Sequence, residues 1–204
     1  MNAQSLELAV RLLRSSGIVA FPTETYYGLA VDPFNERALE RLFLLKARPQ
    51  AKPVLVLVRD ASDIPLLATE IPELYRGLMQ RFWPGPLTLI FPAAGTLPAS
   101  LTAGTGGVGL RQSPHSVAAR LLRAFGGPLT ATSANRSGEA PATDARQALS
   151  LFSDYEGLVL DGGATPGGVG STVAGLFDRR LRCLRPGKIP FSEVEASSTR
   201  LTFS

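Results

Sequence analysis

Four polar stretches stand out against an apolar background, and their residue types define the chemistry the chain can support. Residues 21–30 read FPTETYYGLA, with two threonines, a glutamate and two tyrosines between apolar runs. Residues 46–53 read KARPQAKP and bring Lys46, Arg48 and Lys52 within seven positions, in a turn stiffened by two prolines. Residues 132–143, TSANRSGEAPAT, supply Ser133, Asn135, Ser137 and Thr143, and residues 162–173, GGATPGGVGSTV, are dense in glycine. Arg111 and Arg185 each close an apolar run. Polar groups set between buried segments are costly unless something binds them. The pooled inventory is cations, hydroxyls and amides with few carboxylates, which suits polyphosphate and carboxylate ligands better than sugars or peptides. It also suits reactions in which charge develops on phosphoryl oxygens and no side-chain nucleophile is required. The inventory points to a nucleotide and leaves the reaction open.

Each stretch alone also has a plainer reading. Cations after a helix complement its dipole, Ser, Asn and Gly are ordinary turn residues, and a glycine-rich segment can be a surface loop as well as an anion-binding nest. No Gly-Lys-Ser/Thr follows the glycines, so the segment is not a P-loop. The lone histidine, His115, rules out a histidine-based zinc site and is the single candidate for any histidine relay. The lone cysteine, Cys183, rules out an internal disulfide framework. A net charge of +4 is milder than that of a dedicated nucleic-acid binder. Apolar runs fall short of the ~20 residues a membrane helix needs, and the first residues lack a signal peptide's uninterrupted apolar core. A cytoplasmic protein without a membrane partner is expected.

The clusters must be held by elements, and the apolar pattern supplies them. Leu6, Val10 and Leu13 share a helical face that Gly17 should end. GIVAF and YGLAV read as strands, followed by a helix over 36–47 that Pro49 bars from continuing. VLVLV after Pro53 reads as a strand, residues 73–82 as a helix, WPGP as a rigid turn and LTLIF as a strand. The segment 93–107 reads as a loop before the strand VGLR. A helix over 116–125, a strand within GGPLTATS, a helix over 144–152 that Thr143 could cap, the strand GLVLD, and the strands STVAGLF and RLRCLR complete the pattern. Helices and strands alternate without a composition break or repeat, so one α/β domain over 1–204 with a mixed sheet is expected.

The four clusters and the two arginines, in this order, resemble the YrdC-like family, the threonylcarbamoyl-adenylate synthases. The elements carrying the resemblance are PTET-YGL, K-x-R-P, S-A-N-x-S-G followed by Pro-x-Thr, S-T-V and R-P-G, spread from the first strand to Arg185. The resemblance implies an α/β (α+β) fold: a single twisted mixed sheet flanked by helices and curved around an electropositive concave cavity. It implies the short, single-domain form, without a separate C-terminal domain. It further implies an enzyme, a nucleotidyltransferase, that joins L-threonine, bicarbonate (or CO2) and ATP into L-threonylcarbamoyl-adenylate and pyrophosphate. That product would feed N6-threonylcarbamoylation of adenosine 37 in tRNA through downstream transfer proteins, with possible contact to tRNA itself.

Carried over residue by residue, the resemblance puts Thr25, Arg111, Ser133 and Ser171 around L-threonine. It puts Arg48, Lys52, Asn135, Thr143 and Arg185 around ATP, with Lys46 and Arg48 as the catalytic cations on the phosphates. Mg2+ would arrive with ATP, and no protein side chain is expected to ligate it. Two positions depart from the family pattern. Leu57 stands where many members carry a threonine-contacting histidine, and Gly107 falls in a run where members offer a side chain to ATP. Tyr26 and Tyr27, being adjacent, should point to opposite faces, so at most one should face the cavity. Rival readings are an RNA-binding module and a paralogous enzyme of the same fold acting on another carbamoyl or adenylyl substrate.

Overall fold

Helix ends and glycines set where the chain turns. A computed structural model describes residues 2–47, 52–153 and 155–201. The first helix, α1 (Ala3–Arg14), starts where Asn2 Oδ1 accepts the Ser5 amide at 2.8 Å, a standard cap. It buries Ala9 and Leu13. Gly17 ends it as expected, and close approach is the reason: a Cβ there would lie 2.4 Å from Leu12 Cγ. The chain then forms β1 (Ile18–Pro22) and β2 (Tyr27–Ala30), both fully buried. Asn35 caps α2 (Glu36–Lys46), which ends at Ala47 in the left-handed region.

Next come β3 (Val56–Leu57), a short 3-10 turn (Ala61–Leu66), α3 (Glu73–Phe82), β4 (Leu87–Pro92), α4 (Ala99–Thr102) and β5 (Gly107–Arg111). α5 (Ser116–Phe125), β6 (Leu129–Thr130), β7 (Thr132–Ser133), α6 (Ala145–Ser150) and β8 (Gly157–Val159) follow, and then β9 (Thr172–Phe177), β10 (Arg180–Arg185) and α7 (Phe191–Leu201).

The expected mixed α/β fold is present, with one correction: hydrogen bonding divides the strands into two sheets. One has the order β7-β2-β1-β8, the other β10-β9-β4-β5-β3-β6. Both are mixed: β1 runs antiparallel to β2 and parallel to β8, while β4 runs antiparallel to β5 and parallel to β9. The chain crosses between them at Ala131, whose amide donates to Leu55 O at 2.9 Å, while the neighbouring Thr130 amide donates to Val31 O at 3.0 Å. A large apolar core includes Tyr27, Leu39, Leu42, Tyr75, Leu89 and Phe91. A smaller one holds α1 and α5 to β1 through Leu13, Val19, Phe21 and Leu121. No helix among the described residues is long and apolar enough to cross a membrane.

Three local expectations are corrected. VLVLV pairs in register only at Val56 and Leu57; the Val58 amide still reaches Arg111 O of β5, but at the other end the Val54 amide turns to Leu101 O of α4. α6 is capped by Asp144, whose carboxylate accepts the Gln147 amide at 2.8 Å, and not by Thr143. The stretch 93–107 contains the single-turn helix α4.

Candidate active site

The β1–β2 connection is a turn built by its own hydroxyls. The Thr23 amide donates to Tyr26 O at 3.1 Å and its hydroxyl to the same oxygen at 2.8 Å, while the Thr25 amide reaches Thr23 Oγ1 at 3.2 Å. The polar residues of this connection are thus satisfied without a ligand, apart from what they present outward. Thr25 is buried and faces a cleft of about 570 Å3. The cleft opens over the face of the larger sheet that carries Thr88, Ile90, Gly109 and Arg111, with Ser133, Ser171 and Arg185 also on its wall.

Backbone bonds bring three of the four sequence clusters together. Ser133 sits opposite Gly28 in the β2–β7 pairing. The Tyr27 amide donates to Ala142 O at 2.9 Å, the Ala134 amide to Tyr27 O at 2.8 Å, and the Thr165 amide to Thr143 O at 2.8 Å. The Gly167 amide closes the circuit on Thr25 O at 2.8 Å. Gly167 has φ 62°, and a Cβ there would stand 3.0 Å from Thr143 Cγ2, so conformation and space both call for glycine. The two tyrosines diverge. Tyr26 is half-buried beside Gly167, whereas Tyr27 is wholly buried and its hydroxyl donates to Gly163 O at 2.8 Å. Burial raises the Tyr27 pKa, which keeps that hydroxyl a donor.

Arg111 is almost entirely buried, and its Nη1 donates to Glu24 Oε1. Glu24 Oε2 accepts the Ser113 hydroxyl. Arg111 Nε is the one buried side-chain nitrogen or oxygen among the described residues that has no hydrogen-bond partner. Burial pushes the Arg111 pKa below its ordinary value; the Glu24 carboxylate raises it and the neighbouring Arg185 charge lowers it further. Arg185 Nη2 donates to Ser171 O at 2.9 Å and Ser171 Oγ at 3.0 Å, and Ser171 Oγ lies 2.9 Å from Thr88 Oγ1. The cleft wall therefore carries two guanidiniums, one of them paired with Glu24, and a row of hydroxyls.

The remaining sequence candidates stand behind this wall or at its rim. Lys46 is buried, and its ammonium donates to Ser133 O, to Asn135 O at 2.8 Å and to Asn135 Oδ1 at 3.2 Å. Asn135 also accepts the Ser133 hydroxyl at 2.6 Å and gives its amide protons to Arg136 O and Glu139 O. The Thr143 hydroxyl turns to Gln147 Oε1 at 3.2 Å. Lys52 is exposed, next to Pro53 on the cleft rim. Arg48 lies outside the described residues. Leu57 packs in the smaller core, beside Leu129 and Phe21. Gly107 cannot carry a side chain without moving Ile90, whose Cγ2 would lie 2.8 Å from a Cβ.

The residues that sequence reasoning left without a role are Glu24, Thr88 and Ser113. Glu24 had a usable signal, being a carboxylate inside a polar turn of a site otherwise made of cations and hydroxyls. His115 caps α5, its Nδ1 accepting the Val117 amide at 3.2 Å. Among the described residues no three His, Cys, Asp or Glu side chains gather to hold a metal.

Known proteins share both the sequence and this architecture. The Sua5/YciO/YrdC family model, described as telomere recombination, matches residues 11–187. The chain belongs to this family. A Pyrococcus abyssi relative named threonylcarbamoyl-AMP synthase is 38% identical over 190 residues, covering 93% of this chain and 56% of that protein. A Bacillus subtilis protein of the same name is 39% identical over 196 residues, covering 96% of this chain and 57% of that protein. The chain thus spans a little over half the length of these two family members. The crystal structure of P. abyssi Sua5 complexed with L-threonine superposes with a TM-score of 0.91 at 37% identity, covering 97% of this chain and 58% of that one. Escherichia coli YciO, 23% identical with a TM-score of 0.81, shares the family's fold.

Proposed function

We propose that this chain carries a threonylcarbamoyl-AMP synthase site, forming L-threonylcarbamoyl-adenylate and pyrophosphate from L-threonine, bicarbonate (or CO2) and ATP. The observation that carries the reading is the buried Arg111, which lines a hydroxyl-rich cleft and keeps one donor unmatched, in a chain whose P. abyssi relative was crystallised with L-threonine. A guanidinium edge binds a carboxylate through two parallel hydrogen bonds. Thr25, Ser133 and Ser171 offer hydroxyls for the amine and side chain of the amino acid. Such a site rejects a ligand lacking the matching hydroxyl, because its own polar groups would be left unpaired.

The threonine amine adds to the carbon of CO2 to give a carbamate. A carbamate oxygen then attacks the α-phosphorus as the bond to pyrophosphate breaks. Arg185, Lys52, Arg48, Asn135 and Thr143 are assigned to ATP. Lys46, with its donors directed to the Ser133–Asn135 loop, contributes positive charge from behind that loop. Mg2+ is assigned to the nucleotide, arriving as part of the ATP substrate. The product's role in tRNA threonylcarbamoylation, with downstream transfer proteins and a cytoplasmic setting, belongs to the same proposal.

The test is pyrophosphate release and product mass with ATP, Mg2+ and bicarbonate. Threonylcarbamoyl-adenylate is expected with L-threonine, and less product with serine. No pyrophosphate with threonine, or equal release with both amino acids, would show the substrate assignment to be wrong.

A further inference from the structure

Glu24 and Arg111 form a buried ion pair that leaves half of the guanidinium's work undone. The Glu24 side chain is 13% exposed and that of Arg111 3%. Both carboxylate oxygens are engaged, one by Arg111 Nη1 and the other by the Ser113 hydroxyl. The Glu24 carbonyl also accepts Lys188 Nζ at 3.2 Å, and the Lys188 amide donates to Gly170 O at 2.9 Å beside Ser171. Glu24 is therefore fixed at its side chain and its backbone. Arg111, by contrast, is held at Nη1 alone, and its buried Nε has no partner among the described residues. A buried donor without an acceptor is destabilising, and such a group calls for an explanation. In a planar guanidinium the Nε–H and an Nη–H form one edge, which matches a carboxylate.

We propose that Glu24 is a positioning residue. By holding Nη1 it fixes the plane of the Arg111 guanidinium, so that the donors left outside the ion pair are directed at the ligand carboxylate. Ser113 serves the same purpose one step out, by fixing Glu24. This rests on the proposed reading that the cleft takes an amino-acid carboxylate. Glu24 has an opposing electrostatic effect, since its charge repels the carboxylate that Arg111 attracts. The opposite role, an internal carboxylate competing with the ligand for Arg111, is thus a distinct alternative that binding can decide.

L-threonine is titrated calorimetrically into wild type, Glu24→Gln, Glu24→Ala and Ser113→Ala, and KM for threonine and for ATP is measured in each. Positioning predicts that Glu24→Ala weakens threonine about 10- to 100-fold, by analogy with the loss when the outer partner of a metal-ligating side chain is removed. KM for ATP should move little, and Ser113→Ala should fall between Glu24→Ala and wild type. Glu24→Gln keeps an acceptor for Nη1 and should bind threonine about as well as wild type. Tighter binding by both Glu24 variants would make Glu24 a competitor and overturn the proposal, as would equal binding by all four proteins.

The 15N-resolved Nε–H resonance of Arg111 gives a readout that needs no ligand. It should be sharp in wild type and Glu24→Gln, and broadened in Glu24→Ala. A wild type that binds no threonine yet keeps this pattern would sink the substrate reading and leave the positioning role standing. A resonance indifferent to Glu24→Ala would sink the positioning role. If Glu24→Ala does not fold, unchanged affinity and resonance in Ser113→Ala overturn it.

Discussion

At the scale of residues, two arginine–carboxylate pairs of similar chemistry do different work, and hydrogen-bond completeness separates them. Asp63, wholly buried, accepts the Arg59 amide at 2.8 Å and Arg59 Nε at 3.0 Å, and also takes Nη2. That bond raises the Arg59 pKa. The pair ties the 3-10 turn to the end of β3 and leaves no buried side-chain donor unpaired. The Arg111–Glu24 pair leaves one buried donor unpaired, which is the observation behind the positioning role proposed for Glu24. His115 shows the same accounting with a proton. As a helix cap its Nδ1 must be unprotonated, and burial lowers its pKa, only partly offset by the Glu24 charge. A protonated imidazole would also oppose the positive end of the α5 dipole. Because the folded pKa lies below the unfolded value near 6.5, the unfolded chain takes up its proton first as pH falls. The His115 contribution is therefore full above that value and is lost on descending toward the folded pKa. Urea unfolding at pH 7.5 and 5.5 should show wild type losing more stability than His115→Asn, which keeps a capping side chain without the titration. Equal losses would exclude His115 as the source.

At the scale of elements, legibility in the sequence followed the width of the apolar face. α1, α2, α3 and α5 each bury several residues at helical spacing, and their expected spans lie within a few residues of those observed. α7 is not signalled by the apolar pattern of FSEVEASSTRL: among its described side chains Val194 is the one fully buried apolar residue. β3 is shorter than VLVLV because alternation reports burial, and Val54 is buried with its amide turned to α4 instead of a strand. The R-P-G motif was legible as a turn, but its glycine has a sharper cause. A Cβ on Gly187 would lie 2.2 Å from the Thr172 amide nitrogen and 2.5 Å from Ser171 O. Backbone crosses backbone there, and Arg185 Nη2 reaches Ser171 O at 2.9 Å across the same junction. Gly187→Ala must push these strands apart at a cost of about 1–3 kcal/mol, as overpacking does. A lowered Tm with a raised KM for ATP is expected, whereas an unchanged Tm would mean that the junction relaxes freely.

For the whole molecule, the site lies where two sheets meet, and its location could not be read from any one segment. The family resemblance singled out Thr25, Arg111, Ser133, Ser171 and Arg185, and all of them line the cleft. Lys46, Asn135 and Thr143 were singled out in the same way, yet their side chains bond within the protein: buried Lys46 to Asn135 O, and half-buried Asn135 and Thr143 to Glu139 O and Gln147 Oε1. Sequence types give a residue's chemistry and not the direction in which it is used. The backbone circuit Gly167–Thr25, Tyr27–Ala142, Ala134–Tyr27 and Thr165–Thr143 makes the wall one mechanical unit drawn from three distant stretches. A ligand that orders any part of it must therefore order all of it. Ligand at 100 times its Kd adds about 2.7 kcal/mol to stability by mass action, enough to slow opening of these amides. Hydrogen exchange with L-threonine and ATP should show protection rising together over 23–28, 131–143 and 163–171, with little change in α3, which packs on α7 away from the cleft. Thr165→Ala, which removes only the hydroxyl bond to Thr143 O at 3.1 Å, should reduce protection in all three stretches at once. Protection confined to one stretch, or lost from 163–171 alone, would show that the three stretches respond independently.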